Sequence, residues 1–347
     1  MVSDQFSDRC VLLIGNFLSH TAGSRGVSED LSEQLGRHGW HTITCSSKPN
    51  RLLRLSDMLL TSILHHSRYQ VAHIDVFSGR AFLWADIISR VLRILKKPFI
   101  LTLHGGNLNN FAQQYPGNVQ RLLTSAKAVT TPSLFLQNSF SSIKNVVQYL
   151  PNAIEIAHYP FKLRSQPGPR LIWLRAFHSI YNPGLAVEVL ALLHRELPLV
   201  SLTMIGPDKK DGSLQAVKRL AVELGVERNL HLFGAIPKPD VPARLDEGDI
   251  FLNTTRYESF GVAVMEAAAV GLPIVTTNVG ELPYLWKDGQ DALLVPPDDA
   301  EAMAKAVQRI LTEPGLAERL SYNARQKAER YDWSVILPQW ESLLTEV

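Results

Sequence analysis

Twelve short apolar runs recur along the chain, and most are followed by a stretch with helical spacing of its apolar residues. The runs span 10–14, 42–45, 71–76, 98–103, 128–131 and 146–150, then 171–174, 200–205, 230–233, 250–253, 273–276 and 293–295. They are continuous rather than alternating, as expected of strands buried on both faces of a parallel sheet. Helices are predicted between them at 27–37, 51–65, 81–95 and 133–144, and the chain from Asp298 onward reads as mostly helical. Strands alternating with helices give a wound α/β sheet. The alternation breaks once, at 151–170, where Pro151, Pro160, Pro167, Gly168 and Pro169 fall without helical period. That stretch reads as a linker. The expectation is therefore two Rossmann-like wound domains over 1–160 and 161–331, with a final helix at 332–347 that carries Trp333 and Trp340.

A length of 347 residues suits two such domains, and their cores need no disulfide or metal staple. Cys10 and Cys45 are the only cysteines, which excludes a disulfide scaffold and a cysteine metal framework and favours a reducing compartment. No apolar run reaches the ~18 residues of a spanning helix. The first ten residues carry two acids before the first apolar run, against the charge of an export signal. These features predict a cytoplasmic protein. The net charge of +2 is unevenly spread: residues 1–169 hold 17 Lys and Arg against 9 Asp and Glu, and the remainder holds 18 against 24. A basic half of this kind suits an anionic membrane surface. In 51–60 and 90–97 apolar and basic residues mix at helical spacing. Each reads as an ordinary amphipathic helix packed on the sheet, and the charge balance adds the expectation that one faces lipid.

Ligands of wound sheets bind beyond the carboxyl ends of the strands. The loop after 250–253 runs Arg256-Tyr-Glu-Ser-Phe-Gly-Val-Ala-Val-Met-Glu266. A helix is predicted to open there with Ser259 as N-cap, leaving the N–H groups of Phe260, Gly261 and Val262 to meet a phosphate or diphosphate. Glu266 lies two turns along, in surroundings so apolar that its carboxylate requires a partner. Glu258 sits at the mouth, so the two acids are placed to hold the two ends of an elongated phosphate-bearing ligand.

Glu258 and Glu266, with Ala267, Gly271, Pro273, Gly280 and Glu281 following in order, resemble the family-four retaining glycosyltransferases of the GT-B fold. The resemblance runs through nearly the whole chain and is strongest over 230–300. It implies a sugar transfer from a nucleotide diphosphate sugar, with retention, to an acceptor in a cleft between the domains. The acceptor class it suggests is a lipid-linked or cell-surface glycan precursor. No metal, no cofactor and no nucleic acid is implied. Position by position, Glu266 is similar to the residue that binds ribose, and Glu258 to the one at the donor sugar. Arg175, after the strand 171–174, matches the arginine that neutralises the leaving diphosphate. His104, followed by Gly105 and Gly106, matches a histidine facing the donor sugar. Gly15, Asn16 and the segment Gly23-Ser-Arg-Gly26 match a glycine-rich loop lining the cleft.

One departure stands out. The family has a Lys five or six residues after the arginine, and here the chain reads Arg175-Ala-Phe-His-Ser-Ile-Tyr-Asn-Pro-Gly184. Lys209, Lys210 or Arg256 is the expected replacement. The missing Lys motivates an alternative, a non-catalytic protein that binds a sugar nucleotide or a partner. A second alternative is a nucleotide-sugar epimerase, which would need further acid and base groups.

Overall fold

The computed structural model describes residues 9–18, 26–105, 107–141 and 147–347. The expected Gly23–Arg25 part of the glycine-rich loop, Gly106, Val146 and the last residues of the helix predicted over 133–144 lie outside the described residues. The chain forms two compact units, Met1–Asn152 with Trp333–Val347, and Ala153–Asp332.

The first unit carries a sheet of β1 Cys10–Ile14, β2 His41–Cys45, β3 Val71–Val76, β4 Phe99–Leu103, β5 Ala128–Thr131 and β6 Val147–Tyr149. Its order is β2-β1-β3-β4-β5-β6, and every pairing is parallel. The second unit carries β7 Arg170–Leu174, β8 Ser201–Ile205, β9 Leu230–Phe233, β10 Ile250–Asn253, β11 Ile274–Thr277 and β12 Leu293–Val295. Its order is β12-β11-β10-β7-β8-β9, again all parallel. In β7, Leu171 and Trp173 enter one apolar cluster and Ile172 the other, on the opposite side of the sheet. Helices cover both faces, which explains why the strands read as unbroken apolar runs.

The order of strands reverses at β1/β3 in the first unit and at β7/β10 in the second. In an open wound sheet the connections there leave in opposite directions, and a crevice opens beyond the strand ends. Gly15 follows β1 and Asp75 lies in β3. Arg175 follows β7, and the loop that holds Glu258 follows β10.

Two expectations need correction. The helices Leu108–Gln114 and Pro116–Ser125 were not foreseen. The first is a polar segment without apolar period, and the second opens on Pro116, a residue favoured in a first helical turn. More consequentially, residues 153–169 are not a loose linker but part of the second unit. Ile154 bridges Asp332, and the Ile156 N–H donates to the Asp332 carboxylate at 2.9 Å. Arg164 is only 4% exposed. Its guanidinium donates to the carbonyls of Lys162 and Val270, each at 2.6 Å, and pairs with Asp246 at 2.6 Å. Prolines made the stretch read as a linker, but they only deny it helix and strand hydrogen bonds; the buried arginine supplies others.

The last helix, Trp333–Glu346, belongs to the first unit. The Trp40 indole N–H donates to Glu341 at 3.1 Å, and Trp340 meets His73 edge-on at 5.1 Å.

Replacing Arg164 by Met removes its hydrogen bonds to the Lys162 and Val270 carbonyls and its pair with Asp246, leaving Val270 O only the Lys162 N–H at 3.2 Å. Hydrogen bonds from a charged group contribute roughly 1.5–3 kcal/mol each. Urea denaturation of Arg164→Met should show a loss of about 2–3 kcal/mol. A midpoint equal to wild type would return 153–169 to the status of a passive connector.

Candidate functional site

In the second unit the site grows from strand ends. Arg175 leaves β7 with its N–H on the Ile205 carbonyl at 3.0 Å. Its own carbonyl lies so close to Gly206 that a Cβ there would collide with it. The loop after β10 is tied down on both sides. The Arg256 N–H donates to Ile180 O at 2.9 Å, Trp173 Nε1 donates to Thr254 Oγ1 at 2.9 Å, and the Thr277 hydroxyl donates to Thr255 O at 2.6 Å. Gly280, with φ +54°, lets the loop after β11 come against the Glu258 backbone, where a Cβ would meet the Glu258 carbonyl. The Glu281 N–H donates to that carbonyl at 3.1 Å. Glu258 is thus held by backbone from two directions.

The helix after this loop is Val262–Ala269, two residues later than expected. Its N-cap is Gly261 at φ 92°, not Ser259, and no side chain caps it. The Glu258 carboxylate has taken the nearby donors: Oε1 accepts from the N–H of Ser259 at 3.1 Å and of Phe260 at 3.4 Å. Of the three N–H groups expected to meet a diphosphate, that of Phe260 is therefore engaged. Those of Gly261 and Val262 stand at the helix start, where intrahelical acceptors are absent. The Phe260 ring is buried and meets Tyr331 edge-on at 5.7 Å.

Arg175, partly buried, and Glu258, buried, form an ion pair, and the Tyr181 ring lies 4.8 Å from the guanidinium. Burial draws the Arg175 pKa down, while Tyr181 and Glu266 oppose it. Glu266 is 4% exposed. Its Oε1 accepts from the Tyr159 hydroxyl at 2.6 Å and from Lys238 Nζ at 2.6 Å. Neither partner was found from sequence. Tyr159 lay in the supposed linker, and Lys238 stands between two prolines after β9 with no helical or strand period to mark it. The second unit thus carries charges of alternating sign: Lys238, Glu266, Arg175 and Glu258.

The Arg256 guanidinium is bound to Asp298 at 2.8 Å and to the Ser179 carbonyl at 3.1 Å. Lys209 and Lys210 are exposed on the loop after β8, where the Lys209 N–H donates to Phe177 O at 3.2 Å. Lys238 is the cation that the structure places on Glu266.

In the first unit Gly15, Asp75 and His104 come together. A Cβ on Gly15 would strike the Asp75 carboxylate and lie 2.9 Å from Ser28 Oγ. Ser28 donates to Asp75, and His104 Nε2 lies 2.9 Å from Asp75 Oδ1. The His104 ring stacks on Phe77 at 5.2 Å. Asn16 accepts from Arg54 at 3.0 Å. Burial would raise the Asp75 pKa, but His104, His73 and Ser28 together hold it below the ordinary carboxylate value. A cavity of about 30 Å³, lined by Gly15, Asn16, Met58, Asp75, Phe77 and Trp84 among others, adjoins this cluster. Asp75 was missed, although an acid inside the apolar run 71–76 was a visible signal that a buried carboxylate needed partners. Among the described residues, no group of three or more His, Cys, Asp and Glu is arranged to hold a metal.

Residues 159–327 match the family model of glycosyl transferases group 1. A glycogen synthase of Mycobacterium tuberculosis is 30% identical over 281 residues, 76% of this chain and 66% of the relative. A D-inositol 3-phosphate glycosyltransferase of Corynebacterium efficiens is 29% identical over 168 residues, 48% and 40% of the two chains. The chain belongs to the group 1 glycosyl transferases. It covers 66% or less of the length of these relatives. The fold is that of GT-B enzymes. Sucrose-phosphate synthase of Thermosynechococcus elongatus superposes with a TM-score of 0.80 at 18% identity, over 97% of this chain and 98% of its own. HepE of Anabaena, solved with UDP and glucose, gives 0.78 at 16% identity, over 98% and 100%.

The first-unit network carries a pH prediction. Burial lowers the His73 pKa to about 4, below its ordinary value of 6.5. Folding therefore favours the neutral ring. Stability is full above pH 6.5 and is lost as pH falls towards 4, because the unfolded chain takes up a proton that the folded chain refuses. At pH 5 the loss is about 2 kcal/mol. Urea midpoints at pH 7 and 5 should differ less in His73→Gln than in wild type; equal differences would show that His73 is not the titrating group.

Proposed function

We infer that this protein transfers a sugar from a nucleotide diphosphate sugar to an acceptor, with retention of anomeric configuration and without a metal. The observation that carries this reading is the set Lys238, Glu266, Arg175 and Glu258, two buried acids each paired with a partly buried cation, gathered beyond the carboxyl ends of β7, β9 and β10. Two carboxylates in such a place hold hydroxyl-rich groups, and two cations hold phosphates. The UDP present in the solved HepE supports a nucleotide donor. Retention rests on the family-four resemblance, as does the acceptor class of a lipid-linked or cell-surface glycan precursor.

The roles rest on the family resemblance, and the contacts of each side chain suit them. Glu266 accepts the ribose hydroxyls, with Tyr159 and Lys238 fixing its carboxylate. Glu258 holds hydroxyls of the donor sugar. Arg175 meets the diphosphate, whose negative charge grows as the glycosidic bond breaks, so a fixed guanidinium stabilises the transition state more than the ground state. The N–H groups of Gly261 and Val262 add neutral donors. Lys238 supplies the second side-chain cation in place of the absent lysine of the 175–184 loop. His104, oriented by Asp75, offers a hydrogen bond to the donor sugar.

Three variants test these roles separately. Glu266→Gln should weaken a nucleoside and its diphosphate alike, by about tenfold or more, since each hydrogen bond to a charged acceptor contributes roughly 1.5–3 kcal/mol. Lys238→Ala should weaken the diphosphate more than the nucleoside. Arg175→Ala should lower turnover at least ~100-fold, by analogy with loss of one oxyanion donor. Calorimetry with uridine, guanosine and adenosine diphosphates and their nucleosides, followed by NMR of the product anomer, gives the readouts. Unchanged affinity in Glu266→Gln would sink the ribose role. Inversion of the anomeric centre would overturn retention. Tight donor binding with no transfer to any acceptor would favour the binding-protein alternative, which the missing lysine first suggested.

A further inference from the structure

The helices Arg51–Leu64 and Arg80–Ile94 pack side by side in the first unit. Their inward sides are ordinary: Met58 and Ser62 on one, Phe82, Ala85, Ile88 and Leu92 on the other, are buried. Their outward sides are not. Leu52 is 78% exposed, Leu64 70%, Leu53 60% and Leu60 57% on the first helix. Ile94 is 79% exposed and Leu83 54% on the second. Leu53, Leu60 and Leu64 follow one another at spacings of seven and four, and Leu83, Ile87 (38% exposed) and Ile94 at four and seven, so they form stripes rather than scattered single residues. Isolated exposed leucines need no explanation, whereas contiguous ones mark an interaction surface. The sequence supported each helix only as an amphipathic element packed on the sheet. The structure shows that each has a second apolar side.

Charge identifies the occupant. Arg51, Arg80, Arg90, Arg93 and Lys96 are exposed on or just after the two helices. The two helices contain two acids. Asp57 is partly buried, and Asp86 is buried and held by Arg90 at 2.7 Å and Arg121 at 3.4 Å. An apolar stripe rimmed by cations is the chemistry of a helix that lies in a lipid interface, with leucines among the acyl chains and cations at phosphates. A second copy of this chain is a poor occupant, because a two-fold interface would set this basic rim against itself. Among the described residues no helix is long and apolar enough to cross a membrane, so the contact is a surface one.

We propose that the outward faces of Arg51–Leu64 and Arg80–Ile94 dock this protein on an anionic lipid surface. These helices belong to the first unit and the charged set to the second, so the proposal is tested separately from the sugar-transfer reading.

Vesicle co-sedimentation tests it with the full chain. Vesicles of phosphatidylcholine alone and of phosphatidylcholine with phosphatidylglycerol are compared at low and high salt. Wild type should pellet with the anionic vesicles and less so at high salt, since screening acts over ~10 Å at 0.1 M salt. Leu52→Ser/Leu60→Ser/Leu64→Ser should reduce binding at least about tenfold, as should Arg51→Glu/Arg93→Glu/Lys96→Glu. Both sets alter exposed side chains, and circular dichroism should show unchanged folding. Wild type that fails to pellet, or triple variants that pellet as wild type does, would overturn the proposal. So would salt-insensitive binding to neutral vesicles. Sedimentation velocity showing that the leucine variant only dissolves a self-association or a protein complex would overturn it too.

Discussion

A carboxylate taken out of water costs several kcal/mol unless charge and hydrogen bonds replace its hydration. Glu266 meets this constraint on a helix whose residues from Ala263 to Ala269 are all buried. Tyr159 and Lys238 must therefore come to it, and much of the second unit is arranged so that they do. Tyr159 arrives from a segment pinned by Arg164, and Lys238 from the turn after β9. Glu258 is solved differently, by Arg175 and by two N–H groups of its own loop. Each acid is satisfied by groups that a phosphate-bearing ligand can borrow. Sites of this type are held in shape before the ligand comes, which lowers the reorganisation left for the reaction.

The first unit obeys the same constraint with other means. Asp75 lies inside a strand, and Ser28, His104 and the nearby His73 stabilise its charge. Gly15 is required because no side chain fits beside that carboxylate. The tie between a glycine at the end of β1 and an acid in β3 reflects the strand order, since only neighbouring parallel strands bring these positions together. His73 shows the cost of the arrangement: a ring kept neutral by burial makes the unit sensitive to acid.

Both clusters sit where strand order reverses, at β1/β3 and at β7/β10. Elsewhere in these sheets consecutive connections pack against one another and close the strand ends. At a reversal they part, and loops carrying polar residues have room to meet a ligand. The tight tethers of the 254–261 loop then become intelligible. The loop carries Glu258 and leads into the helix start, and small shifts would misplace both.

From the residues alone, the wound α/β class, the twelve strands, the break near residue 151 and the candidates Glu258, Glu266, Arg175 and His104 were legible, because continuous apolar runs and motif spacing are local properties of the chain. The helix start was misplaced by two residues, since Ser259 is a good N-cap by type, yet Glu258 had already claimed the neighbouring N–H groups. Tyr159, Lys238 and Asp75 were illegible as site residues because their significance lies in partners 107, 28 and 29 residues away. The exposure of Leu52, Leu60 and Leu64 was equally hidden. Helical spacing shows that a face is apolar, but only the packed structure decides which face the sheet has left uncovered.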